Sequence, residues 1–355
     1  MTTCVMFSKK GYEDGNGEWA NMDIGTGPYT WGDWSIGNTV ELNAFDDYYV
    51  EGQPAIKKVE FKVISEDGNR YIEVETGGAD ICYNLSGVDI AAAEANSDVQ
   101  LFREYTMDNC YLSFNQREEP FTDVRVRQAI AYALDIDGAW NVCMDGVGQP
   151  AKGVLPDNVT DSIAKEDSPY HVDYPVYQYN LEKAKELLAE AGYPDGFTCT
   201  MTCDQNQQRL DTAEMVQMQL AEIGITMKIA SMERGTFIDN VISGNLEMFG
   251  LGWTADTGDP DYALFASFHS SMHGEGGNMS FYTNPEVDRL LDLGRSSTDP
   301  EVRKDAYYKV QEIVWNEVPC VFLQCPEDLY AYNSNLKNFA TNADGSIKFA
   351  QLSWN

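Results

Sequence analysis

The sequence predicts a mixed α/β protein built around a parallel sheet, and two observations carry that expectation. The stretch "FTCTMTC" at 197–203 reads as a strand, and "TAEMVQMQLAEIGITMKI" at 212–229 follows it. In the second stretch Ala213, Val216, Leu220 and Ile223 share one helical face, Gly224 supplies a left-handed stop, and Ile225, Met227 and Ile229 then alternate as a strand. Strand, helix and strand in succession form the crossover that neighbouring parallel strands require.

The remaining elements follow in chain order. "GTGPY" at 25–29 resembles a phosphate-binding glycine loop, but Pro28 removes an amide that such a cradle needs, so it reads as a turn into a strand at Tyr29–Trp34. Residues 38–64 read as strands, with Val59, Phe61 and Val63 alternating against Glu60 and Lys62. A helix starts near Val124 with Val126, Ile130, Ala133 and Leu134 on one face. Another follows Asn180 as its cap, with Leu181, Ala184, Leu188 and Ala191 as its apolar stripe, and ends at Gly192 and Pro194. The last long helix opens at "TDPEV", where Thr298 and Glu301 have capping-box spacing and Pro300 suits the first turn. "YLSFNQREEPF" around 111–121 and "VPCVFLQCPED" around 318–328 read as connections between two bodies. The expected division is 1–116 with 322–355 in one and 117–321 in the other.

Composition narrows the partners. The chain carries 24 Lys and Arg against 57 Asp and Glu, a net charge of −33. So negative a surface repels nucleic-acid backbones and anionic headgroups, which leaves cationic or zwitterionic small molecules. No apolar run is long enough to read as a membrane-spanning helix. The N-terminal "MTTCVMFSKKGYEDG" shows no basic segment followed by an apolar stretch, so no export signal is expected in this chain. Among the eight cysteines there is no CxxC pair. Cys199 and Cys203 stand about 13 Å apart on an extended strand, too far to bond each other, so buried free thiols are expected.

The densest polar constellation is "GLGWTADTGDPDY" at 250–262. Gly250 and Gly252 share one strand face, which is left bare, while Leu251 and Trp253 point the other way; such glycines mark close approach by a ligand or backbone. Asp256 follows at the strand's C-terminal end, where open α/β sheets bind ligands. Asp259 and Asp261 suit turn formation better than Asp256 does. Neither a calcium loop nor a zinc motif fits, since the twelfth residue from Asp256 is Ser267 and "HSSMH" lacks a glutamate. No metal and no cofactor are expected.

Five motifs in order, "IGTGPYTW", "YLSFNQREEPFTDVRVRQAIAYALD", "YNLEKAKELLAEAGYPDGF", "AEMVQMQLAEIGI" and "GWTADTGDPD", resemble extracytoplasmic solute-binding proteins of peptide ABC transporters. The oligopeptide- and dipeptide-binding branch is the nearest pattern. The resemblance implies a two-lobed, type II periplasmic-binding-protein-like clamshell, with the first part of lobe I lacking. It implies a monomeric receptor without catalytic residues that hands a peptide or other small solute to a membrane permease outside the cytoplasm. It places Asp256 on the ligand's N-terminal ammonium, with Trp253, Gly250, Gly252 and Thr254 beside it. Arg234 stands where relatives often carry an aromatic and is a candidate carboxylate partner. The strand before the crossover helix lacks the arginine of dipeptide-selective relatives, which argues against strict dipeptide selectivity. A binder of oligosaccharide or another non-peptide solute on the same scaffold is the alternative, and an Asp/Glu glycosidase a further one.

Overall fold

The computed structural model describes residues 6–15, 24–138, 146–164, 177–342 and 345–355; Cys4, Cys143 and the first five residues lie outside them. Contacts divide the chain into Met1–Glu104 with Asp328–Asn355, and Tyr105–Glu327. The boundaries therefore fall at 104/105 and 327/328, where the sequence reading placed them at 116/117 and 321/322. The segments read as connections each supply a strand to the sheet of the second unit.

In the first unit a short helix α1 (Lys9–Asp14) precedes an antiparallel meander of β1 (Tyr29–Ser35), β2 (Thr39–Ala44) and β3 (Lys58–Lys62). Helix α2 (Asp67–Glu75), β4 (Ile81–Cys82), α3 (Ile90–Ala95) and β5 (Val99–Tyr105) follow.

The second unit contains β6 (Asp108–Phe114), α4 (Val124–Ala133), β7 (Gln149–Pro150), α5 (Leu181–Glu190), β8 (Thr198–Asp204), α6 (Gln207–Ala221) and β9 (Thr226–Met232). It continues with α7 (Arg234–Ser243), β10 (Met248–Thr254), α8 (Pro260–Phe268), α9 (Pro285–Ser296), α10 (Pro300–Glu317) and β11 (Cys320–Cys325). The chain then returns to the first unit through β12 (Glu327–Asn333), which pairs between β4 and β5, and a ribbon of β13 (Leu336–Lys337) with β14 (Ser353–Trp354).

The six-stranded sheet of the second unit runs β7-β11-β6-β10-β8-β9. β8 pairs parallel with β9 and β10, whereas β6 is antiparallel to both β10 and β11. The α/β class and the crossover β8-α6-β9 are as the sequence predicts. The local signals hold as well. Asn180 caps α5 by accepting from the Lys183 amide, and Gly224 adopts φ +86°; α6 is capped by Asn206 through the Arg209 amide, a cap the sequence reading did not name. One cap moves: α10 is capped by Asp299, which accepts from the Glu301 amide, rather than by Thr298. The carboxylate next to Pro300 is the stronger acceptor for a helix N-terminus, and proline fills the first helical position without losing a hydrogen bond.

Strand alternation sends side chains into two cores, one on each face of the sheet. Phe249, Leu251, Tyr111 and Phe322 pack with Leu264, Tyr307, Val314 and Trp315. On the other face Met248, Met201, Leu112 and Phe114 pack with Ile130, Leu188, Val216 and Leu220. Arg127 of α4 is buried, and its guanidinium donates to the carbonyls of Phe121, Thr122, Glu317 and Val318. Burial pulls its pKa down to about 10, so it stays charged at neutral pH and ties α4 to the end of α10.

Candidate ligand site at the C-terminal edge of the sheet

β8, β9, β10 and β11 all run in one direction, so their C-terminal ends share an edge with the start of β6. Ligands of open α/β sheets bind at that kind of edge. The register places Thr254 opposite Asp108, Gly252 opposite Cys110 and Gly250 opposite Leu112. By alternation Asp108, Cys110, Gly250, Gly252 and Thr254 share one face, and Asn109, Leu251 and Trp253 share the other. Past β10 the chain turns: the Ala255 amide donates to Met107, the Gly258 amide donates to Ala255, and Gly258 takes φ +66°. Asp256 sits in this turn, half-buried.

Asp108 and Asp256 form an acidic corner. Burial raises the pKa of Asp108, hydrogen bonds from Thr254 and Thr106 work against that, and the negative charge of Asp256 raises it further. One oxygen of Asp108, Oδ1, is buried with no hydrogen-bond partner. Among the described residues no Lys, Arg or His pairs with either carboxylate.

The neighbouring aspartates are all neutralised. Asp259 caps α8 and holds Arg303 at 2.6 Å, while Asp261 holds Arg295 at 2.8 Å and the Tyr307 hydroxyl at 2.9 Å. At the end of β8, Asp204 is only 6% exposed and accepts from Arg209 at 2.5 Å and Arg234 at 2.6 Å. Burial works to raise its pKa, but the two guanidiniums outweigh burial and hold it below the usual carboxylate range. The edge is thus dipolar. It has two uncompensated carboxylates, in β6 and just past β10, and two guanidiniums from α6 and α7 sharing the one carboxylate of Asp204 in β8.

The structure gathers Gly252, Thr254 and Asp256 with Asp108, a residue the sequence reading did not single out. Gly250 lies on the same face, further from the edge. Trp253 is on the opposite face, its ring 5.9 Å from that of Tyr262 and its Nε1–H buried without a partner. Arg234, half-exposed, opens α7 and is engaged by Asp204. Asp108 is invisible in one dimension because its partner in the sheet lies far along the chain. The Arg209–Asp204–Arg234 cluster is hidden for the same reason. Among the described residues no group of three or more His, Cys, Asp or Glu side chains could hold a metal ion. Cys110, Cys199, Cys203, Cys320 and Cys325 are free thiols, and Cys199 and Cys203 do not bond each other, in line with their spacing on β8.

The family model for bacterial extracellular solute-binding proteins, family 5 (middle region), matches residues 4–274. The chain belongs to this family. It is 29% identical over 333 residues to the glutathione-binding protein GsiB of Salmonella choleraesuis, covering 92% of this chain and 63% of that protein. The family 5 chain therefore spans less than two thirds of the length of this curated relative. Among solved structures it is similar to a dipeptide-binding protein from Pseudoalteromonas in complex with Met-Leu, at 25% identity and TM-score 0.84, covering 98% of this chain and 69% of that one. It is also similar to the periplasmic binding protein DppA of Helicobacter pylori in complex with the peptide STSA, at 26% identity and TM-score 0.85, covering 98% and 68%. The periplasmic-binding-protein-like fold expected from the sequence is borne out.

Proposed function

We propose that this family 5 protein is the extracytoplasmic receptor of an ABC importer. In this reading it captures short peptides, pairs the ligand's N-terminal ammonium with Asp256 and passes the cargo to a membrane permease. The observation that carries the proposal is the pair Asp108 and Asp256, two carboxylates left without a cation on an edge where each other aspartate described above has its own arginine. A half-buried carboxylate with no partner is costly, and a ligand ammonium relieves that cost by a charge-assisted hydrogen bond. The guanidinium excess at Asp204 lies across the sheet edge from the acidic corner, so the charge pattern suits a zwitterion better than a neutral sugar. Neighbouring strands are spaced about 4.8 Å apart, which separates β6 from β8 by roughly 10 Å, the length of about three extended residues.

Titration calorimetry with matched free and N-acetylated tripeptides tests the proposal. Free peptides are expected to bind at least tenfold more tightly. Equal affinity for the two forms removes the ammonium from the mechanism.

A further inference from the structure

The face that carries Asp108 also holds a cavity of about 120 Å³ to which no role has yet been assigned. Gly250, Met201 and Cys110 of the sheet line it together with Ile136, Leu323 and Met215 of α6. Its polar lining includes Arg209, Asn206 and Gln324. The cavity depends on the glycine: a Cβ at Gly250 would meet Met201 Cε at 3.2 Å and Cys203 Sγ at 3.8 Å, and any longer side chain would fill the space. Glycine inside a strand weakens it, so a glycine that opens a cavity is better explained by what enters than by the strand.

We propose that this cavity receives an unbranched apolar side chain, aliphatic or thioether, from the peptide held at Asp256, so that it selects ligands by side chain as well as by charge. The inference rests on the peptide reading above. Three features support the assignment. The volume approaches that of an engineered apolar cavity of about 150 Å³ that admits benzene, so one medium side chain fits and a large aromatic does not. The lining is soft, since Met201 and Met215 are flexible thioethers that reshape around a guest. The position is apt: Cys110 lies two residues from Asp108 on the same face, about 7 Å along the strand, and Arg209 also lines the cavity. A chain running from the acidic corner toward the arginines crosses β6, β10 and β8, which supply Cys110, Gly250 and Met201 to that lining. Burial pushes the Cys110 thiol up to about 11, so it stays neutral at physiological pH.

The test compares triglycine with the three tripeptides that carry one methionine among two glycines. At least one isomer is expected to bind tenfold or more tightly than triglycine, and in Gly250→Val that ratio is expected to collapse to within about twofold. In the unaltered protein carrying 13C-methyl methionine, the Met201 and Met215 signals are expected to move with that isomer and not with triglycine. The NMR arm decides the matter if the valine variant does not fold. Four peptides of equal affinity with silent methyl signals overturn the cavity assignment and leave the peptide receptor standing. Failure of every peptide to bind overturns both.

Discussion

Asp108 and Thr254 face each other across the β6–β10 pair, and Thr254 hydrogen-bonds a carboxylate that burial and the nearby Asp256 charge push toward protonation. The folded-state pKa of Asp108 lies above its ordinary value, so between the two the native protein keeps a proton that the unfolded chain has lost. Stability then falls as pH rises through the folded pKa. Asp108→Asn is expected to melt ~2–4 °C higher than the parent at pH 7, the shift that about 1 kcal/mol gives in a domain of this size. The gain should shrink in melts as pH falls below the ordinary carboxylate range, where the parent carboxyl is neutral in both states. A gain that does not depend on pH would assign the effect to packing instead.

Asp256→Asn is expected to weaken binding of free-amine tripeptides by roughly 10- to 150-fold, the loss of a charge-assisted hydrogen bond of about 1.5–3 kcal/mol. N-acetylated peptides should lose little in the same calorimetric comparison. The unliganded variant should be no less stable than the parent, because no ion pair in the described structure depends on Asp256.

Asp204→Asn should behave in the opposite way. The folded pKa of Asp204 is depressed, so its contribution to stability is present above the ordinary carboxylate pKa and disappears as pH falls through the folded value. The substitution is expected to cost roughly 1–3 kcal/mol at pH 7 in urea unfolding. That is less than the loss of a fully buried pair, because Arg209 and Arg234 stay partly solvated. The parent and variant unfolding curves should draw together as pH falls through the depressed folded pKa.

Arg127→Met keeps the aliphatic volume of the side chain but leaves four carbonyls without their donor. Each buried unsatisfied carbonyl costs about 1–3 kcal/mol. A drop in unfolding free energy of roughly 3 kcal/mol or more is expected, measured by denaturant titration. A loss under ~1 kcal/mol would mean that water replaces the guanidinium there.

Much of the fold was legible in the sequence because its signals are local. Asn180 and Gly224 act within one turn of themselves, and the apolar faces of α4, α5 and α6 are set by spacing alone. The capping of α10 was misplaced by one residue because Thr298 and Asp299 are adjacent competitors, and an ionised acceptor beside Pro300 wins. The site was harder to read. Gly250, Gly252 and Asp256 stand out in one short stretch, but their meaning depends on what lies opposite. Asp108 and Cys110 reach them only through antiparallel register, and Arg209 and Arg234 meet Asp204 from two different helices. The same register puts Trp253 on the reverse face from the glycines, as strand alternation in the sequence predicts.

Ser113 in β6 pairs with Cys320 in β11, so the middle of the sheet is closed by two segments from opposite ends of its unit. Loop closure over so long a span is entropically slow, and such topologies assemble late compared with helical ones. Until the last strand arrives, one side of β6 presents unpaired amides and carbonyls, an open template for pairing with other chains. Loss of the segment after Glu317 should therefore yield aggregates rather than a smaller soluble body, and assembly should be governed by when that segment becomes available.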